Sequence, residues 1–95
     1  MTEAEKKKFI EKKFVIKNKL GLHARPAALL VQTANRFRCE IEMIKGRQKV
    51  NGKSIMGIMT LAAETGSAIT VRASGEDAAD AMAEISRLIA SNFGE

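Results

Sequence analysis

The only proline in the chain, Pro26, restricts where its first helix can begin. Proline has no backbone N–H, and its fixed φ suits the first turn of a helix, where N–H groups have no intrahelical acceptor. Behind it, Ala27, Leu30, Val31 and Ala34 recur at helical spacing. That spacing predicts a helix over residues 24–36. The only histidine, His23, then stands at or just before its first turn. The free N–H groups of that turn, with the positive end of the helix dipole, form an anion site. Arg25 adds a guanidinium fork suited to phosphate oxygens. An ionisable nucleophile thus stands beside an anion cradle, as a histidine that carries a phosphoryl group requires. Imidazole titrates near neutral pH, so its nucleophilic neutral form is available.

The other elements follow from periodicity. Phe14–Lys17 is short and β-prone, a first strand. Asn18–Gly21 is a turn-rich connection to the histidine, and Asn18 is a candidate to orient that loop. Cys39, Ile41 and Met43 alternate with Glu40, Glu42 and Ile44, which predicts a strand with one buried face. Gly46-Arg47 marks a hairpin turn, and Gln48-Lys49-Val50 begins the return strand. Ser54 is a suitable N-cap for a short helix through Ala63, stopped by Thr65-Gly66. Ile69, Val71 and Ala73 alternate with Thr70, Arg72 and Ser74 in a fourth strand. Gly75-Glu76-Asp77 opens a last helix, whose apolar stripe from Ala78 runs on to Asn92, with Gly94 to end it. The order β-α-β-β-α-β-α predicts an α+β fold, a two-layer open-faced sandwich of a four-stranded sheet with three helices on one face. Periodicity does not fix the strand order.

Ninety-five residues, 45% of them hydrophobic, suit one small domain. The only aromatics are four Phe, so the core is expected to be aliphatic. A single cysteine, Cys39, allows no internal disulfide and no cysteine cluster for a metal, which points to a reduced, cytoplasmic chain. No apolar run approaches the ~20 residues of a membrane span. The first eight residues, MTEAEKKK, lack the hydrophobic run of a signal peptide. The net charge is +5, but five of the sixteen basic residues are Lys6, Lys7, Lys8, Lys12 and Lys13. The rest is close to neutral and offers no aromatic stacking platform, so nucleic acid is not the expected partner. Residues 1–12 read as a lysine-rich, solvated extension, or as a short amphipathic helix docking through Phe9 and Ile10.

The segment after Ser54 is unusual. Ile55, Met56, Ile58, Met59 and Leu61 make a short helix apolar nearly all round. With Ile58 and Leu61 turned to the core, Ile55, Met56 and Met59 are left outward. Exposed methionine suits a surface that docks several partners. Near His23 in sequence there is no second general base or carboxylate. The chain also has no Ser-His-Asp arrangement, glycine-rich nucleotide loop or metal-ligand pattern. No cofactor is expected.

Gly21-Leu22-His23-Ala24-Arg25-Pro26-Ala27, followed by Val50-Asn51-Gly52-Lys53-Ser54-Ile55-Met56-Gly57, resembles the HPr family, the histidine-containing phosphocarriers of the bacterial phosphotransferase system. The likeness covers residues 13–93, and residues 13–95 are identified as the HPr-like domain. It implies an antiparallel sheet ordered 1-4-2-3 and a monomeric carrier rather than an enzyme. It implies that His23 accepts phosphate on Nδ1 from Enzyme I, ultimately from phosphoenolpyruvate, and passes it to a histidine on an enzyme IIA. Arg25 and the backbone of Ala24 and Arg25 would hold the phosphate. Leu22, Ile55, Met56 and Met59 would meet both partners. In one branch of the family the serine matching Ser54 is phosphorylated by a dedicated kinase, the HPr kinase/phosphorylase. Where that branch has Leu before Lys, this chain has Gly52. The alternative is a regulatory HPr-like module acting on a transcription factor or an enzyme. HPr-like proteins confined to that role lack the active histidine, which this chain has.

Overall fold

The structure, a computed structural model, describes residues 9–95. Strand β1 (Ile10–Val15) leads to helix α1 (Ala24–Ala34). The hairpin of β2 (Glu40–Lys45) and β3 (Gln48–Asn51) is followed by helix α2 (Ile55–Thr60). Strand β4 (Ala68–Ser74), helix α3 (Ala78–Ala90) and a tight 3-10 turn (Asn92–Gly94) complete the chain. The four strands form one antiparallel sheet in the order β1-β4-β2-β3. Fold class and strand order match those expected.

The pleat of β4 separates the two layers. Ile69, Val71 and Ala73 are buried on one face, while Thr70, Arg72 and Ser74 alternate on the other. The register sets Met43 opposite Val71 and Ile41 opposite Ala73 on β2. All four, with Ile69, are essentially inaccessible and form the floor of the core. Leu30 of α1, Ile58 of α2 and Ile85 of α3 cover that floor, each fully buried. Leu61, just past α2, is buried as well, so Ile58 and Leu61 take the inward positions expected of them.

Several boundaries differ from the sequence reading, among them the end of α1, which lies at Ala34 rather than at residue 36. The first strand lies at Ile10–Val15, not Phe14–Lys17. Ile10, Lys12 and Phe14 face the side of Ala73, Val71 and Ile69. As an edge strand β1 tolerates lysines on both faces, since their heads reach water on stems that cover apolar surface. That hides the alternation from the sequence. Residues 10–12, assigned to a solvated extension, therefore belong to the sheet, and Phe9 lies under the Arg72 guanidinium at 4.7 Å. The rest of that extension lies outside the described residues. Helix α2 ends at Thr60 rather than Ala63, and Ala62 is left-handed with φ 47°. Helix α3 ends at Ala90, and Asn92 and Phe93 then turn left-handed instead of extending the stripe.

Candidate functional site

His23 is the N-cap residue of α1, in extended conformation with φ −78° and ψ −172°. Its carbonyl accepts the Ala27 N–H at 3.1 Å, while its side chain makes no cap hydrogen bond. The imidazole is therefore free to project from the helix tip, where its side chain is 34% exposed. In the next turn the Ala24 and Arg25 N–H groups have no acceptor within the helix, and Pro26 has no N–H to leave unpaired. Pro26 is buried under the helix start, whereas Ala24 and Arg25 are exposed. Among the described residues the Arg25 guanidinium forms no ion pair. A nucleophilic ring, two outward N–H groups and an uncommitted guanidinium thus share one helix end. An anion held covalently on the ring would lie within reach of donors of this kind.

The loop that presents His23 is tied from both sides. Asn18 is 4% exposed, and its Nδ2 donates to the Gly21 carbonyl at 2.6 Å. Asn18 does orient this loop. Gly21 holds φ +66°, and a Cβ there would lie 2.9 Å from Glu64 Cα, so only glycine fits. The Leu22 N–H donates to the Ala63 carbonyl at 2.8 Å. Thr65 Oγ1 donates to the carbonyls of Asn18 and Lys19. The segment following α2 therefore braces the segment preceding α1.

Sequence reasoning missed one member of the site. Glu95 Oε2 lies 3.2 Å from His23 Nε2. Its other oxygen accepts from Asn18 Nδ2 at 3.4 Å. The two residues are separated by 72 positions, and no local pattern signals their meeting.

Leu22, expected on the docking surface, is only 5% exposed. The Leu22–Ala63 backbone bond pulls it inward to the core. Its neighbour Leu20 is the outward residue, at 71%. Ile55, Met56 and Met59 are all exposed, as the helical spacing predicted. Ser54 caps α2, its Oγ accepting the Gly57 N–H at 3.0 Å. Helices α1 and α2 pack together and run in opposite senses. Lys53 Nζ, before α2, reaches the Phe37 carbonyl beyond the end of α1, while Ala63, after α2, meets Leu22 before α1. The exposed apolar side chains of α2 consequently flank the helix that bears His23.

Residues 10–91 match the PTS-HPr family model, described as the PTS HPr component phosphorylation site. The chain is 45% identical over 86 residues to the phosphocarrier protein HPr of Xylella fastidiosa, covering 90% of this chain and 97% of that protein. The crystal structure of HPr-C-His from Thermoanaerobacter tengcongensis is similar with a TM-score of 0.88 at 50% identity, over 90% of this chain and 97% of that one. The structure of the Bacillus subtilis catabolite repression protein Crh, a dimer with a swapping domain, has a TM-score of 0.70 at 43% identity, over 87% of this chain and 95% of that one.

Proposed function

The chain belongs to the HPr family of phosphotransferase-system phosphocarriers, and on that premise we propose that His23 takes a phosphoryl group from phospho-Enzyme I and hands it to a histidine of an enzyme IIA. The observation that carries this reading is the placement of His23 as N-cap of α1, beside the free N–H groups of Ala24 and Arg25. In the step itself the Nδ1 lone pair attacks phosphorus. The bond from phosphorus to the donor's nitrogen breaks, and its electron pair stays on the donor. The chain is a stoichiometric carrier in the cytoplasm: it holds one phosphate and turns over nothing alone. Two N–H groups and the Arg25 fork compensate the charge on the transferred group, which is most of what phosphoryl transfer asks of a protein.

Leu20, Ile55, Met56 and Met59 supply the docking surface for both partners in this reading. Transfer needs one His23 and one such surface, so the carrier works as a monomer. Ser54 is a regulatory site for an HPr kinase/phosphorylase, at the border of that surface. The likeness to Crh favours a second, regulatory role on a transcription factor or enzyme. That role coexists with carriage, because His23 is present.

The test is incubation with Enzyme I and phosphoenolpyruvate. One acid-labile, base-stable phosphate per chain is expected, and none on His23→Ala. Phosphate accepted by His23→Ala at the wild-type level would defeat the assignment.

A further inference from the structure

We propose that the outer edge of β1, with the groove between it and α3, binds an extended acidic segment of a partner protein as a fifth strand of the sheet. The inference does not rest on the carrier reading. β1 ends the sheet, with β4 its only neighbouring strand among the described residues. Ile16, just past the strand, donates its N–H to the Ser67 carbonyl at 2.9 Å and accepts the Gly66 N–H at 2.7 Å. Both of its backbone groups thus face the β4 side. In an antiparallel ladder that orientation alternates residue by residue. Phe14, Lys12 and Ile10 therefore bond to β4, while Val15, Lys13 and Glu11 turn their N–H and C=O groups outward. Among the described residues these outward groups meet no hydrogen-bonding partner. A row of unpaired backbone groups is a template for one more strand.

Charge decides what kind of strand fits. The groove beside this edge has a volume of about 570 Å³. Phe14 of β1 and Ala83 and Ala90 of α3 line it, and Lys12, Lys17 and Arg87 stand around it. Among the described residues no carboxylate lines it. Among the same residues Lys12 and Lys17 form no ion pair, whereas Arg87 is shared with Glu84 at 2.6 Å. Lys12 Nζ lies 5.5 Å from the centre of the Phe14 ring, above the apolar floor. An added strand turns alternate side chains to the groove, where glutamate or aspartate would meet these cations. A second copy of β1 does not fit. Pairing two such edges about Lys13 sets like charges directly opposite, which is destabilising. The lysines that guard the edge against self-pairing thus select an acidic partner. The occupant leaves α2 uncovered, because α2 packs against β3 at the other edge of the sheet, while α3 packs against β1 and β4.

The experiment titrates the 15N-labelled chain with a synthetic peptide of alternating glutamate and valine, read by NMR shifts and amide hydrogen exchange. Without peptide, the amides of Glu11, Lys13 and Val15 should exchange rapidly. The peptide should protect those amides and leave the amides of α2 unshifted. The double variant Lys12→Glu, Lys17→Glu changes two exposed side chains and should keep the fold. It should bind the peptide roughly tenfold more weakly, about what two exposed charge pairs supply. A peptide of alternating lysine and valine should not bind. Failure of the glutamate peptide to bind, equal binding of the two peptides, or shifts in the groove without protection along the β1 edge would each overturn the proposal. Edge amides already protected before peptide is added would overturn it too, since the edge would then be covered by the chain itself or by a second copy.

Discussion

Arg25 separates charge from geometry at the level of one residue. Lysine would keep the positive charge but lose the planar fork that meets two phosphate oxygens at once. Because Arg25 is exposed and free of ion pairs among the described residues, Arg25→Lys should leave the fold intact. Transfer should slow about tenfold, the consequence of losing ~1.4 kcal/mol of transition-state stabilisation. Rapid-quench rates from Enzyme I and to an enzyme IIA check this, and wild-type rates in both directions would remove Arg25 from the site. The placement of His23 and Arg25 at the start of α1 was legible in sequence because Pro26 marks the first turn of a helix and both residues lie within the three positions before it. Leu22 and Glu95 were not legible. The inward turn of Leu22 depends on a backbone bond to Ala63, 41 positions away, and Glu95 arrives through two left-handed residues that no hydrophobic period announces. Both depend on tertiary contacts rather than on local pattern.

At the scale of elements, α2 joins stability to docking through Ser54. A serine N-cap has a recognisable sequence position, and an apolar run that one buried face cannot absorb is equally recognisable. The cap and the outward Ile55, Met56 and Met59 were both legible for that reason. The edge strand β1 was not, because its lysines blur the alternation of its two faces. Ser54→Ala removes the acceptor of the Gly57 N–H and should cost about 1 kcal/mol. In a domain of this size that lowers Tm by about 4–8 °C. Aspartate caps as well as serine does, so Ser54→Asp should melt near wild type. Its added charge borders the apolar surface proposed to meet Enzyme I, and desolvating an unpaired charge there is costly. Phosphorylation of His23 should therefore slow in Ser54→Asp and stay near wild type in Ser54→Ala at a temperature where both are folded. Thermal melts set beside Enzyme I-dependent rates separate the two effects. A Ser54→Asp chain phosphorylated at the wild-type rate would remove α2 from the docking surface.

The whole molecule is closed by charges as well as by its core. Across the open face of the sheet, Glu11 on β1 pairs with Arg72 on β4, Arg72 with Glu42 on β2, and Glu42 with Lys49 on β3. At one end of the sheet, Asp77 joins the two connections that flank β2 and α3. Asp77 begins α3, yet its carboxylate makes no cap bond to that helix. It accepts instead the N–H groups of Arg38 and Cys39, at 2.8 and 2.9 Å, and so ties the α1–β2 connection to the β4–α3 connection. The Cys39 thiol beside it is pushed up to about 11, first by burial and then by Asp77, which keeps it protonated at neutral pH. Asp77 itself is held below its ordinary value of 3.8, chiefly by the Arg38 N–H and then, against some desolvation, by that of Cys39. A carboxyl group with a depressed folded value is protonated more readily in the unfolded chain. Its contribution to stability is therefore fully present above about pH 4–5 and is lost as pH falls through the folded value. Asp77→Asn cannot ionise and offers one carbonyl oxygen to two N–H donors. It should unfold at lower urea than wild type at pH 7, and the gap should narrow progressively towards pH 3. Urea midpoints for both chains across that range test the tie, and a gap of constant size would show that the Asp77 charge does not hold the two connections together.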